Sequence, residues 1–75
     1  MRPGDGAPAV RVCVNGKERR LPPSTSVADL LEELGLPISR VAVEFNREIL
    51  PKPSYSSTLL CEDDRLEVVQ FVGGG

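Results

Sequence analysis

Histidine is missing from the sequence, cysteine is limited to Cys13 and Cys61, and the aromatic residues are Phe45, Tyr55 and Phe71. A tetrahedral zinc site would have to take its remaining ligands from carboxylates, and no close ligand spacing provides them, so no bound metal is expected. The net charge of −2 gives no basic footprint for a phosphate backbone, and so few aromatics cannot build a base-stacking surface. Nucleic acid is excluded as a partner. No apolar run approaches the roughly 18–20 residues that span a bilayer. Residues 1–8 also lack the apolar segment of a secretion signal. The expectation is a cytoplasmic protein without membrane contact. In a reducing compartment the two cysteines are expected as free thiols. Neither stands beside a base or an evident helix N-terminus that would lower its pKa, so neither is read as a redox group.

What is present is the balance of a globular domain, 40% apolar and 27% charged residues in 75 positions, with room for one small core. Residues 1–8 are rich in Pro and Gly without periodicity and read as a mobile leader. Val10, Val12 and Val14 alternate with Arg11 and Cys13, the pattern of a strand with one buried side. Asn15-Gly16 tolerates the positive φ angles of a tight hairpin, so Lys17 to Leu21 should return antiparallel until Pro22-Pro23 removes two N–H donors. Ser24-Thr25-Ser26 supplies an N-cap, and Val27, Leu30, Leu31 and Leu34 form one apolar stripe that stops at Gly35 and Pro37. Leu36 and Ile38 are expected to continue the core. Val41 to Phe45 alternates as a third strand, with a polar turn at Asn46-Arg47-Glu48 and a short edge piece, Ile49-Leu50, bounded by Pro51 and Pro53. Residues 54–58 carry no firm signal, Leu59-Leu60 reads as a buried anchor, and Glu62-Asp63-Asp64 as a turn.

The last strand runs from Arg65 to Val72, with Leu66 and Val68 on one side and Val69 and Phe71 on the other. The sum is an α+β roll: a small mixed sheet covered on one face by a single main helix, the other face partly exposed. Val69, Phe71 and Val72 are candidates for an apolar partner interface, with burial of Phe71 over the sheet edge as the competing reading. The acidic run at 62–64 reads first as solvated charge and second as a steering patch for a basic partner. Gly73-Gly74-Gly75 follows directly. Residues without Cβ add nothing to packing and lose much entropy on ordering, but they pass through narrow spaces. An extended Val72–Gly75 segment would carry the terminal carboxylate roughly 13 Å into a slot of another protein.

Four stretches together bear a family resemblance: Val14-Asn15-Gly16-Lys17, Val27-Ala28-Asp29-Leu30-Leu31, Val43 to Pro51, and Val68-Val69-Gln70-Phe71-Val72-Gly73-Gly74-Gly75. Over residues 10–75 the sequence is similar to the ThiS family, the sulfur-carrier proteins of thiamine biosynthesis. The resemblance implies a ubiquitin-like β-grasp domain over 9–72 and a flexible reactive tail over 73–75. It further implies that an E1-like, ThiF-type enzyme uses ATP and magnesium to adenylate the Gly75 carboxylate. A sulfur donor enzyme's persulfide then converts it to a thiocarboxylate, and a ThiG-type thiazole synthase receives the sulfur. Gly73 and Gly74 would thread the tail. The chain itself would be no enzyme, would bind no cofactor and would contribute no catalytic residue. Two departures from the family pattern are Glu62-Asp63-Asp64, where an Asp-Gly-Asp type turn is usual, and Tyr55, near which tryptophan is often found. Two alternatives stay open. One is the small subunit of molybdopterin synthase or a carrier for another sulfur pathway, and the other is a ubiquitin-like modifier joined to lysine amines.

Overall fold

A computed structural model describes residues 9–71. The leader and Val72 through Gly75 lie outside the described residues. Five strands and one helix follow in chain order: β1 (Val10–Val14), β2 (Lys17–Leu21), α1 (Val27–Glu33), β3 (Val41–Phe45), β4 (Glu48–Leu50) and β5 (Arg65–Gln70). Short 3₁₀ turns at Ile38–Arg40 and Lys52–Ser54 lead into and out of the second hairpin. The sheet order is β2-β1-β5-β3-β4, so the last strand to be made is the central one. It runs antiparallel to β3 over five residue pairs and parallel to β1 over two, Cys13↔Arg65 and Val14↔Leu66. The expected roll is what forms.

The turns explain the registers. Asn15 and Gly16 both adopt positive φ, 52° and 82°, which matches the twist of the β1–β2 hairpin and sets Val14 opposite Lys17. Asn46 and Arg47 do the same between β3 and β4, at 51° and 73°. Glu48, expected in that turn, is the first residue of β4. The turn has only two residues, and Phe45 pairs with Glu48 directly.

Helix α1 is short and depends on its ends. The Ser26 side chain accepts from the Asp29 N–H at 3.0 Å while the Asp29 carboxylate accepts from the Ser26 N–H at 3.0 Å, a reciprocal capping box. The two other free donors of the first turn go to the distant 55–58 connection: Val27 N–H to the Thr58 carbonyl at 3.0 Å and Ala28 N–H to that of Tyr55 at 2.9 Å. At the far end Leu36 N–H bonds the Leu31 carbonyl and Gly35 N–H that of Glu32, with Gly35 at φ 73°. This Schellman closure reverses the chain and returns Leu36 to the helix it has just left.

Val27, Leu30 and Leu31 from the helix meet Val12, Val14, Leu21, Val41, Val43, Leu66 and Val68 from the sheet. Several expectations need correcting here. Tyr55, left without a role, is the largest fully buried side chain, and its segment 54–58 is an ordered turn that covers the helix N-terminus. Leu60 is buried, but Leu59 is 51% exposed. Leu59 makes a strand-like bridge with Ser26, so its neighbour's side chain points the other way. Leu36 packs on the core, whereas Ile38, at the start of a 3₁₀ turn, is 39% exposed and lies outside the core cluster. The acidic run stays exposed as expected, with the Glu62 and Asp63 side chains 52% and 74% accessible, and it also fastens the turn to β1. Glu62 Oε1 accepts from Arg11 N–H at 2.7 Å, Asp63 pairs with the Arg11 guanidinium at 3.2 Å, and Asp64 accepts from Cys61 N–H and from the Asn46 amide. The Asp63 hydrogen bond, with the charges of Glu62 and Asp63, raises the Arg11 pKa above its ordinary value. Asp63 sits at φ 69°, the conformation for which glycine would be the unstrained choice.

The Asn15 side chain closes the gap left by the short parallel ladder. Its Oδ1 accepts from Val68 N–H at 2.7 Å and its Nδ2 donates to the Val68 carbonyl at 3.0 Å, so one side chain replaces a rung of sheet. Asn15→Ala should cost about 2 kcal/mol, since it strands both partly buried Val68 groups. Asn15→Asp, which keeps the acceptor, should cost less, and urea unfolding will order the two. In the other hairpin, Arg47→Gly should raise stability by about 0.5–1 kcal/mol by removing a side chain from a positive-φ position. A lower urea midpoint for that variant would contradict the turn assignment.

Candidate functional site: the sheet face beside the tail

Alternation along β5 divides its side chains between two faces. Leu66 and Val68 enter the core, while Val69 is 57% exposed on the face that α1 does not cover. The ladder ends at Gln70, opposite Val41. Phe71, expected inside the strand, lies one residue beyond it, and its N–H donates to the Arg40 carbonyl at 2.8 Å. The root of the tail is therefore still fixed to the corner that opens β3. Phe71 is 52% exposed, which answers the competing reading: it does not fold into the core. Val72, Gly73, Gly74 and Gly75 fall outside the described residues.

Register brings further residues to Val69. Ala42 lies opposite it on β3, and Glu44 lies opposite both Glu67 on β5 and Ile49 on β4. Ile49 is 80% exposed, the most exposed large apolar side chain of the face. A shallow hollow of about 110 Å³ runs between Ala42, Glu44, Ile49, Glu67 and Val69. A wider one of about 320 Å³ lies between Ile49, Pro51, Lys52 and Phe71 at the tail end of the sheet. The strip is thus Ile49, Ala42, Val69 and Phe71, interrupted by Glu44 and Glu67. Ile49 and Ala42 were not among the expected interface residues. The signal was available: a two-residue turn at Asn46-Arg47 sets Leu50 opposite inward-facing Val43 and turns Ile49 out.

Lys52 fixes the margin of this surface. Its Nζ donates to the carbonyls of Val41 at 2.7 Å and Ile38 at 3.1 Å, which ties the segment after β4 to the start of β3. Cys13 and Cys61 are free thiols. Among the described residues, no three His, Cys, Asp or Glu side chains gather as a metal site, and no helix is long and apolar enough to cross a membrane.

A mixed five-stranded sheet with a parallel central pair, one helix across one face and the last strand in the middle defines a ubiquitin-like β-grasp protein. A ubiquitin from Caldiarchaeum subterraneum matches the fold with a TM-score of 0.51 at 13% identity, over 91% of this chain and 98% of that one. The crystal structure of the thiamine biosynthesis protein ThiS from Geobacter metallireducens is more similar, with a TM-score of 0.74 and 32% identity over 88% of this chain and all of that one. The sulfur carrier protein ThiS of Bacillus subtilis is 41% identical over 63 residues, 83% of this chain and 96% of that protein. A thiazole synthase of Paramagnetospirillum magneticum is 46% identical over 66 residues, 88% of this chain. There the chain spans only 20% of the relative's length. The ThiS family profile matches residues 10–75, and the chain belongs to the ThiS family.

The two faces of β5 should respond differently to substitution. Ile49→Thr and Val69→Thr, on the open face, keep the β-branch and should each change unfolding free energy by no more than about 0.5 kcal/mol. Leu66→Ala, one strand face away, should cost about 2–5 kcal/mol in the same urea titration.

Proposed function

We propose that the chain is a sulfur carrier of thiamine biosynthesis, whose Gly75 carboxylate is adenylated, converted to a thiocarboxylate and discharged during thiazole formation. The observation that carries this reading is the match of the whole body and tail, residues 10–75, to the ThiS family. It is supported by a central strand, ending at Gln70, that carries an open apolar strip and is separated from Gly73 by two residues in the sequence.

The chemistry explains the division of labour. A carboxylate resists attack because its charge is delocalised and repels an approaching anion. ATP, with magnesium, would be used by a separate E1-like enzyme to place AMP on the Gly75 carboxyl group as a leaving group. A persulfide sulfur on the donor enzyme then attacks the acyl carbon and AMP departs. Reductive cleavage of the S–S bond by a thiol leaves the sulfur on Gly75. The carrier supplies the electrophilic carbon at the end of a tether, and its partners supply orientation and charge stabilisation. Gly73 and Gly74 provide clearance where any Cβ would meet the walls of a narrow slot. Ile49, Val69, Phe71 and Val72 would seat the body against the partner while the tail is held.

Thiazole synthase is the proposed sulfur acceptor. In the Paramagnetospirillum magneticum relative, the region similar to this chain occupies a fifth of a protein that is itself a thiazole synthase. Covalent linkage of that kind keeps a carrier and its acceptor at high effective concentration.

Intact-mass measurement after incubation with ATP, a ThiF-type enzyme and a sulfur donor should show one oxygen replaced by sulfur. No mass change, under conditions that load the Bacillus subtilis carrier, would rule the reading out. Gly74→Val should fold normally yet lose ATP–pyrophosphate exchange, and undiminished exchange would disprove threading.

A further inference from the structure

The two edges of the sheet are not equivalent. On β1, the amides of Arg11, Cys13 and Asn15 all point toward β5 and its approach: they donate to Glu62 Oε1, the Asp64 carbonyl and the Leu66 carbonyl at 2.7, 2.9 and 2.9 Å. The Arg11 carbonyl accepts from Asp63 N–H on the same side. Alternation then directs Val12 and Val14 toward β2. Arg20 and Glu18, which lie opposite Arg11 and Cys13, must direct their N–H and C=O groups away from the sheet, at an edge that no other described strand covers. The β4 edge offers much less. By the same alternation only Ile49 faces outward there, and the next outward position is Pro51, which has no N–H.

Beside the β2 edge, on the helix side, lies a groove of about 380 Å³ lined by Val14, Asn15, Lys17, Arg19, Leu34 and Leu36. Its floor is apolar, from Leu34 and Leu36 at the Schellman turn. Its rim is basic. Lys17 and Arg19 lie over the groove, and Arg20 lies on the outer face of the strand with Glu18, sharing a hollow with Arg11 and Glu62, in a protein whose net charge is −2. Among the described residues, the one ion pair made by Lys17, Glu18, Arg19 and Arg20 is Arg20 with Glu18 at 4.0 Å, both side chains well exposed.

We propose that the β2 edge and its groove form a second docking site, which takes an extended acidic segment of a partner protein as an added strand. Main-chain bonds to Glu18 and Arg20 would set the strand's position. Apolar side chains would lie on Leu34 and Leu36, and flanking carboxylates would pair with Lys17, Arg19 and Arg20. A second copy of the chain is a poor occupant, because it would bring the same basic residues face to face. A basic edge that serves only to prevent sheet-to-sheet association needs no groove and would not discriminate between peptides. The site lies on the opposite side of the sheet from Ile49, Val69 and Phe71. A partner held there leaves the tail and its apolar strip open, so the carrier could stay tethered while another enzyme works on Gly75.

The probe is a capped peptide, Asp-Asp-Val-Val-Val-Val-Asp-Asp, titrated into the ¹⁵N-labelled full chain. Saturable amide shifts are expected across Lys17–Leu21 and residues 34–36, with exchange of the Glu18 and Arg20 amides slowed at least about tenfold at saturation. The double variant Lys17→Glu, Arg19→Glu should bind at least about fivefold more weakly while its remaining spectrum is unchanged. A peptide with lysine in place of aspartate should not bind. Absence of saturable shifts at millimolar peptide, shifts confined to Ala42, Ile49 and Val69, unchanged Glu18 and Arg20 exchange, or equal binding of the lysine peptide would each overturn the proposal.

Discussion

The position of β5 in the middle of the sheet is held unequally. On one side β3 grips it over five residue pairs. On the other, β1 supplies two, and the Asn15 amide then takes over the work of the backbone at Val68. Everything else is referenced to that strand. It sends Leu66 and Val68 into the core, turns Val69 outward, and fixes the corner from which the tail departs. A parallel neighbour cannot be joined by a tight turn, so the chain must travel through α1, a hairpin and the 51–64 connection before β5 can be placed.

That connection is structural. Tyr55 fills the space at the open end of the core, and the carbonyls of Tyr55 and Thr58 occupy the first donors of α1. A helix of seven residues is too short to be stable by itself and here borrows both its N-terminal partners and its packing from residues far away in sequence. The two faces of the sheet differ in what they carry. The helix side carries the core and, at its β2 margin, the basic groove. The other side carries Ile49, Ala42, Val69 and Phe71.

Local periodicity was enough to read the strands, the capped helix and the glycine stop, because each is set by residues close together in sequence. The family resemblance added the β-grasp topology and an expectation for the tail. What could not be read depended on contacts across the chain. Tyr55 looks like any loop aromatic until α1 is placed above it. Leu59 and Leu60 differ in burial only because Ser26 pairs with one of them. The acidic turn at 62–64 is solvated as it reads, but its bonds to Arg11 need β1 brought beside it. Asn15 advertised a hairpin, and its bonds to Val68 became visible only once β5 lay parallel to β1. Ile49 was hidden by a turn counted one residue too long, since Arg47 lacks the glycine that usually marks the second position of such a hairpin.

The lateral pairing of β5 also has a mechanical meaning. Any pull applied to the chain beyond Phe71 would run along the axis of the strand, beginning at Phe71 and its bond to Arg40. The hydrogen bonds to β1 and β3 lie across that direction, so the load falls on many rungs in shear at once and cannot open them one at a time as a zipper. A tail leaving from an edge hairpin would peel its strand away. A load applied beyond Phe71 meets the centre of the sheet, and the body resists it without loosening an edge.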